Sequence, residues 1–255
     1  MTETNCICIK WGNKYGPEYV NRIQAGLRRN LTTDLRFFCL TDDAEGLNDD
    51  IDVIDMPTEP FETQMLSALA KAPKHGALRK VSLFRPDLIP DLSGPLLAFD
   101  LDVVITGPIN ELATFAPGKV CMRAVWRRQP EGHAIGQGSV IRFDPKLHGY
   151  LYDRMAADPE GEVGRAFGSE QTYTSMTAKR AGDFEFFPDD WIASFKYNCR
   201  PSRPLNLFLQ PKLPPDTRVV CFHGHPNMHE AIDGFKSDIF HRTRACDWLK
   251  NSWID

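Results

Sequence analysis

Residues 95–105 read PLLAFDLDVVI, an apolar run that is interrupted by two carboxylates two positions apart. Such a run predicts a buried strand. Unpaired carboxylates beside a dry strand would cost roughly several kcal/mol, so Asp100 and Asp102 need a cation or hydrogen-bond donors. Residues two apart on an extended backbone share a face, so both carboxylates can converge on one hard cation, with Leu101 facing the core. The alternative is a strand end at which the two side chains cap loop backbone.

The composition predicts one α/β domain over residues 1–255, because no stretch of the chain resembles a linker. A net charge of -4 with scattered basic residues argues against a nucleic-acid partner. Seven cysteines, an odd number, without a secretory signal favour reduced thiols and a cytoplasmic location. No apolar segment approaches the roughly 20 residues of a membrane span, although work at the inner membrane face stays open.

Strands and helices alternate along the chain, which predicts a mostly parallel sheet. Predicted strands cover residues 5–10, 35–40, 51–54, 95–105, 119–125, 138–143 and 218–222. Predicted helices cover residues 17–30, 78–86, 147–155 and 170–179, and residues 57–76 are expected to form a mobile loop.

Three segments with polar side chains follow predicted strands. Residues 10–16 follow the first strand, Asp100 and Asp102 lie in the central run, and His223 follows the last predicted strand. In open α/β sheets, ligands bind beyond the carboxyl ends of the strands. We therefore expect the first loop and the two aspartates to share one cleft. His223 is a second metal-competent group that also follows a buried strand.

Eight short motifs occur along most of the chain in a fixed order: KWGNKYG (10–16), FCLTDD (38–43), RKVSLF (79–84), AFDLDVVITG (98–107), GSVIRF (138–143), GSEQ (168–171), FPDDWIASFK (187–196) and CFHGHP (221–226). Through them the chain resembles a bacterial group of glycogenin-like and lipopolysaccharide-galactosyltransferase-like glycosyltransferases. This resemblance implies a single-domain GT-A fold, in which helices flank a mixed, mostly parallel central sheet. It also implies transfer of a sugar, with retention of configuration, from a nucleotide-sugar donor to a hydroxyl group.

The resemblance implies a divalent metal that bridges the donor diphosphate to the protein. Asp102 matches the direct ligand, Asp100 matches a contact to the metal and the donor ribose, and His223 matches a third ligand. This donor set favours Mn²⁺ slightly over Mg²⁺, and UDP is the nucleotide that the resemblance favours. The alternative for His223 alone is a hydrogen-bonded histidine at a strand end.

Donor contacts are implied for residues in five parts of the chain. The loop after the first strand matches one that holds the nucleotide base, where Trp11 or Tyr15 can stack; the alternative is a plain surface loop. Lys80 matches a basic residue near the diphosphate, although such residues are more often solvated, and Lys196 is a weaker phosphate candidate. The full set of candidate donor contacts is Lys10, Trp11, Gly12, Asn13, Tyr15, Lys80, Asp100, Leu101, Lys196 and Gly224.

Glu170 and Gln171 match the acceptor side of the site. The carboxylate there would orient the acceptor hydroxyl, and the amide would lie under the anomeric carbon. The acceptor is expected to be a glycan, a lipid-linked sugar or a small molecule. Three positions depart from the pattern: Glu170 replaces a shorter Asp, residues 137–139 read QGS rather than NSS, and Asn227 replaces a phosphate-binding Lys.

Two functions of other classes remain open. The FDLDVV sequence also fits a haloacid dehalogenase-like Mg²⁺-dependent phosphatase, with Asp100 as nucleophile and Asp102 as general acid. About a hundred residues precede the motif here, whereas in those phosphatases it normally closes the first strand. The second alternative is a non-catalytic nucleotide-sugar binding protein, which the three departures keep open.

Overall fold

The computed structural model describes residues 3–74, 78–127, 134–238 and 242–255. Its strands are β1 (Glu3–Lys10), β2 (Asp34–Thr41), β3 (Asp52–Asp55), β4 (Leu96–Phe99), β5 (Val103–Ile105), β6 (Val120–Ala124), β7 (Gly136–Phe143), β8 (Phe184–Phe186), β9 (Ile192–Ser194), β10 (Val219–Cys221), β11 (Phe235–Lys236) and β12 (Arg242–Thr243). Its α-helices are α1 (Pro17–Asn30), α2 (Glu62–Lys71), α3 (Asn110–Thr114), α4 (Pro145–His148), α5 (Tyr150–Ala157), α6 (Pro159–Arg165), α7 (Glu170–Ala181), α8 (Met228–Asp233) and α9 (Asp247–Ser252).

A seven-stranded mixed sheet forms the centre of the fold, in the order β3-β2-β1-β4-β7-β6-β8. Neighbouring strands are parallel except where β7 meets β4 and β6. Because β1 and β4 are parallel, with Cys8 opposite Phe99, the segments that follow them emerge at the same sheet edge. The predicted mostly parallel sheet with flanking helices is confirmed.

Residues 95–105 do not form the single strand that the apolar run predicts. The chain leaves β4 at Asp100, whose N–H donates to Ser139 O at 2.9 Å, and turns at residues 101–102. It then enters β5, which belongs to a second sheet of order β5-β10-β9 and is antiparallel to β10. Both halves are fully buried, so the apolar pattern carries no sign of the change of sheet.

The core covers both faces of the central sheet. Cys6 and Cys8 of β1 face one buried cluster, whereas Ile7 and Ile9 face the other. Helix α1 packs on the first face, and Gly26 brings it so close to β5 that an added Cβ would lie 3.0 Å from Ile105 Cβ. Burial on both faces explains why these strands have continuous apolar sequences.

The helical predictions succeed and fail for identifiable reasons. Residues 17–30 form α1 as predicted, beginning at Pro17 where its missing N–H costs nothing. The predicted loop over 57–76 is wrong at α2, which has one buried residue, Met65, and so shows little apolar periodicity; residues 75–76 lie outside the described part. Residues 78–84 form a 3₁₀ helix rather than an α-helix, and Leu147, predicted to share a helix face with Leu151, is 59% exposed because α4 and α5 are separate.

The seven cysteines are buried free thiols. Within the described ranges, every helix is too short or too polar to traverse a lipid bilayer.

Candidate functional site

A cavity of about 240 Å³ lies at the carboxyl ends of β1 and β4. It brings together six of the predicted site residues, which come from segments up to 91 positions apart. Its lining residues are Ile9, Trp11, Lys14, Tyr15, Lys80, Asp100, Leu101 and Asp102. The expectation of a shared cleft for the first loop and the two aspartates therefore agrees with this geometry.

Lys80 reaches this cavity from the 3₁₀ helix with a buried side chain. Its ammonium forms an ion pair with Asp100, donates to Gly138 O at 3.1 Å and lies 3.9 Å from Glu170 Oε2. Burial alone would lower the pKa of Lys80, but the carboxylates of Asp100 and Glu170 raise it above its ordinary value. Lys80 is therefore a fixed cation rather than the solvated residue that its sequence context suggests.

Asp102 lies on the opposite side of the turn with fewer compensating contacts. The Tyr15 hydroxyl donates to Asp102 Oδ2 at 3.3 Å. Burial, with the nearby charge of Asp100 second, raises the pKa of Asp102 to about 7. The Lys80 ammonium lies between Asp100 and Glu170, so it compensates these two carboxylates first. The environment of Asp102 therefore favours a further cation.

His223 follows β10 and lies beside this turn. Phe222 N donates to Asp102 O at 2.9 Å, which places the next residue near both aspartates. His223 Nε2 is buried and forms no hydrogen bond, and burial lowers the pKa of the ring. The neutral imidazole thus keeps a lone pair for a ligand, and a nitrogen plus two carboxylates is a set that suits Mn²⁺.

The three side chains are neighbours without being arranged around one point. Among the described residues, no group of three or more His, Cys, Asp or Glu side chains is already disposed as a metal cluster. The buried, unpaired Nε2 atom and the raised pKa of Asp102 nevertheless fit a divalent ion. The assignment of Asp100, Asp102 and His223 as metal ligands therefore stays a prediction, and the chemistry of these side chains is compatible with it.

A second cavity of about 270 Å³ begins at His223. It holds Gln171 and Lys196, both predicted from the sequence, and is lined by Val125, Trp126, Arg127, Gln137, Gln171, Lys196, Tyr197 and His223. The Trp126 ring lies 4.8 Å from the His223 ring. Among the residues that the structure describes, no Asp or Glu lines this cavity, whereas the first cavity contains two carboxylates.

Glu170 is buried behind Gly138 and lines neither cavity. Thr174 Oγ1 donates to Glu170 Oε1 at 3.2 Å, and burial raises the pKa of this carboxyl while Lys80 opposes the shift. A Cβ at Gly138 would lie 2.7 Å from Glu170 Oε2. The Glu170 side chain thus occupies the space that a side chain at position 138 would need. The two departures from the expected pattern are therefore physically linked.

Gln171 lines the second cavity and also contacts Gly138. Its Oε1 accepts a hydrogen bond from Gly138 N at 3.3 Å. Of the predicted catalytic pair, Gln171 therefore lines a cavity, whereas the Glu170 carboxylate contacts protein groups. The catalytic roles of both residues stay predictions.

Four predicted donor contacts lie outside both linings. Lys10 is buried and donates to Asp43 O at 2.7 Å, so its ammonium fixes the loop after β2. Gly12, with a φ of 62°, donates its N–H to Asp42 Oδ2 at 3.0 Å. Asn13 and Gly224 are exposed. Their predicted donor roles stay predictions that the present geometry does not support.

Asn227 has a structural explanation. It caps α8, accepting from Glu230 N at 3.0 Å while Glu230 Oε2 accepts from Asn227 N at 2.9 Å. A reciprocal pair of this kind stabilises a helix start. This departure from the expected Lys thus serves the fold.

Several lining residues escaped sequence reasoning. Lys14 belongs to the first motif, and its ammonium lies 4.6 Å from the Tyr15 ring centroid. Its position between Trp11 and Tyr15 could have identified it as a candidate from the sequence. Trp126 and Arg127 follow β6 with no motif that connects them to His223, about a hundred positions later, so no signal was available for them.

The mixed central sheet with its flanking helices is a GT-A fold, which several solved structures share. Among solved structures, the chain is similar to the galactosyltransferase LgtC in complex with donor and acceptor sugar analogues, with a TM-score of 0.60, 13% identity, and coverage of 88% of this chain and 89% of that one. It is also similar to mouse xyloside xylosyltransferase 1 in its apo form, with a TM-score of 0.51, 12% identity, and coverage of 89% and 99%. The glycosyltransferase GlyE of Streptococcus pneumoniae TIGR4 matches with a TM-score of 0.56, 13% identity, and coverage of 99% of this chain and 61% of that one.

No protein-family model matches the chain, and no curated protein does so. At such low identities the structural matches establish the fold, and the predicted GT-A fold is confirmed.

Proposed function

We propose that this protein is a metal-dependent glycosyltransferase that moves a sugar from a UDP-sugar to an acceptor hydroxyl with retention of configuration. One observation supports the proposal most: Asp100, Asp102 and Lys80 meet in one cavity, and His223 and Gln171 line a second cavity beside it. The glycosyltransferases with this fold supply the reaction class. Stereochemistry and nucleotide rest on the resemblance of the motifs.

Asp100, Asp102 and His223 would hold the divalent ion, which when bound neutralises the charge that develops on the leaving diphosphate. Lys80 holds the Asp100 side chain in place through their ion pair. The rings of Trp11 and Tyr15 line the same cavity and offer surfaces on which a nucleotide base can stack.

Gln171 is the residue that we assign to the sugar in the second cavity. Its side chain is already oriented by Gly138 N, so little conformational freedom is lost when a ligand binds. Glu170 is a positioning residue in this assignment, because its carboxylate contacts Thr174 and approaches Lys80. Lys196 supplies positive charge near His223 for a phosphate oxygen.

The proposal is tested by UDP binding and UDP-sugar turnover with Mn²⁺, using Asp102→Asn and Asp153→Asn. Asp153 is an exposed residue of α5 and serves as the matched control. We expect the Asp102 variant to lose Mn²⁺-dependent UDP binding and donor hydrolysis while the control keeps both. Full Mn²⁺-dependent binding by Asp102→Asn would contradict the site.

The same assay separates the two alternatives. Release of phosphate from phosphoesters without UDP binding would indicate the phosphatase. Its second acidic pair would be Asp189 and Asp190, but Asp189 is 78% exposed, pairs with Arg123 at 3.4 Å and lines neither cavity. Mn²⁺-dependent UDP binding without turnover of any UDP-sugar would indicate the binding protein.

A further inference from the structure

The segment that follows the second cavity carries a cluster of exposed apolar side chains. Leu205, Phe208 and Leu209 are 51%, 71% and 46% exposed and surround the short 3₁₀ helix Leu205–Leu207. Phe208 is the most exposed of the large apolar residues in the described part of the chain. We call these three residues the apolar turn. A contiguous exposed cluster of this kind marks a contact surface, whereas single exposed residues do not.

The segment that carries the apolar turn is rich in basic residues, and one carboxylate from another segment, Asp247, accepts from Gln210 Nε2 at 3.3 Å. Residues 191–215 contain Lys196, Arg200, Arg203 and Lys212 and no Asp or Glu, although the whole chain has a net charge of -4. Within the described residues, none of these four cations forms an ion pair with a carboxylate. Burial, together with the nearby charge of Arg203, lowers the pKa of Arg200.

We propose that the apolar turn and these basic residues bind the surface of an anionic phospholipid membrane. Apolar side chains that project from a polypeptide can enter the boundary between headgroups and acyl chains. Lys and Arg beside them contact the negatively charged headgroups, and each cation near such a surface strengthens binding by about fivefold. The three apolar residues suit the acyl-chain boundary of such a membrane, and the four cations suit its negative headgroups.

A second copy of the chain is the less suitable occupant. A twofold contact through the same patch would bring the cations of one protomer against those of its partner, since symmetric dimers use the same surface twice. Like charges opposed across an interface weaken it. An anionic lipid surface has the opposite charge and meets no such repulsion.

The segment that carries the proposed surface begins at the second cavity. Lys196 and Tyr197 line that cavity, and the chain continues from them through Arg200 to the apolar turn. A bound membrane would therefore lie near the mouth of the cavity, where a lipid-linked acceptor could enter it. Membrane binding itself does not depend on the proposed glycosyltransferase activity.

The test is co-sedimentation of the full chain with vesicles of phosphatidylglycerol and phosphatidylcholine, compared with vesicles of phosphatidylcholine alone. We expect binding to the anionic vesicles that falls as salt is raised, and little binding to the neutral ones. The variant Leu205→Ser/Phe208→Ser/Leu209→Ser should bind at least tenfold more weakly. The variant Arg200→Gln/Arg203→Gln/Lys212→Gln should also lose at least tenfold and should lose its salt dependence.

Matched controls change the same number of exposed apolar or cationic residues elsewhere. Val53→Ser/Leu66→Ser/Leu147→Ser removes three exposed apolar residues, and Lys71→Gln/Lys146→Gln/Lys250→Gln removes three exposed cations. Both should bind as the unchanged chain does, and all variants should retain the thermal midpoint of a folded protein. Absent binding to anionic vesicles, equal binding to neutral ones, or equal loss in the controls would overturn the proposal. A dimer that dissociates in the apolar-turn variant would assign the patch to a second copy instead.

Discussion

At the scale of single residues, Lys80 connects the two halves of the candidate site. Its ammonium pairs with Asp100, which lines the first cavity. It also lies 3.9 Å from Glu170 Oε2, and the next residue, Gln171, lines the second cavity. Its third contact, to Gly138 O, fixes the strand that separates the two acids. One buried cation thus compensates carboxylates that serve different parts of the site.

Replacement of Lys80 by Met should destabilise the protein by about 3–5 kcal/mol, because the buried Glu170 and the partly buried Asp100 lose their compensating charge. Urea unfolding in EDTA measures this loss. Lys71→Met on the exposed end of α2 is the control and should change stability by less than about 0.5 kcal/mol. Equal stability of the two variants would mean that Lys80 is not the compensating charge.

A second prediction concerns the contact of Gly138 with Glu170. Gly138→Ala should cost about 1–3 kcal/mol, since the added methyl group overlaps the held Glu170 carboxylate. Glu170→Asp shortens that side chain, so the double variant should be more stable than the sum of the single effects indicates. A double-mutant cycle by urea unfolding measures this coupling. Strict additivity would show that the two departures are independent.

The sequence predicted which residues form the site better than it predicted how their side chains are oriented. The two aspartates and His223 are identifiable because polar groups at the ends of buried strands need partners. Lys80 and Gln171 were predicted only through the motifs that carry the resemblance. The orientation of Lys10 toward Asp43 and the burial of Glu170 were not predictable. Both depend on which loop lies beneath the side chain, and this information is absent from local sequence.

At the scale of secondary-structure elements, α4 is held in place by one histidine. Asp144 N donates to His148 Nδ1 at 2.9 Å, so this nitrogen is the unprotonated one, and Nε2 lies 3.3 Å from Gly118 O. Burial lowers the pKa of His148 below its ordinary value of 6.5. The fold therefore prefers the neutral ring.

This preference predicts an acid-sensitive contribution to stability. Below pH 6.5 the unfolded chain takes up a proton on His148 that the folded chain resists, so stability falls with pH there and is fully present above it. His148→Asn keeps an acceptor for Asp144 N but cannot be protonated. Thermal midpoints from pH 7.5 to 5 should therefore fall less steeply for the variant. Parallel curves would contradict the assignment.

The elements also show where sequence patterns lose information. Helix α1 was predicted at both ends, because one apolar stripe and Pro17 define it. The change from β4 to β5 was missed, because a strand buried in either sheet has the same apolar composition. Helix α2 was missed because a helix that buries one side chain has almost no periodicity.

At the scale of the whole molecule, the C-terminal part of the described chain packs onto its first helix. Trp253 is 4% exposed, lies 4.2 Å from the Arg22 guanidinium carbon and contacts the rings of Tyr19 and His229. Segments from both ends of the sequence thus share one core cluster. One domain over residues 1–255 stays a prediction, and the Trp253 contact offers a way to test it.

Trp253→Ala should lower stability by about 3–5 kcal/mol and should do so for the whole chain at once. Circular dichroism and tryptophan fluorescence, followed during urea unfolding, should report coincident transitions before and after the change. Separated transitions would show that residues near Trp253 unfold alone and would contradict one domain. Ile254→Ala, at an exposed neighbouring position, is the control and should have little effect.

The turn between β4 and β5 has a consequence for how such a protein can change over evolution. Asp100 ends a strand of one sheet and Asp102 precedes a strand of another, so the packing of the two sheets sets the spacing of these carboxylates. The walls of the second cavity come instead from segments such as the one after β6. Under the proposed function, acceptor preference would therefore diverge through exchange of those segments, while the carboxylates proposed to face the diphosphate stay in place.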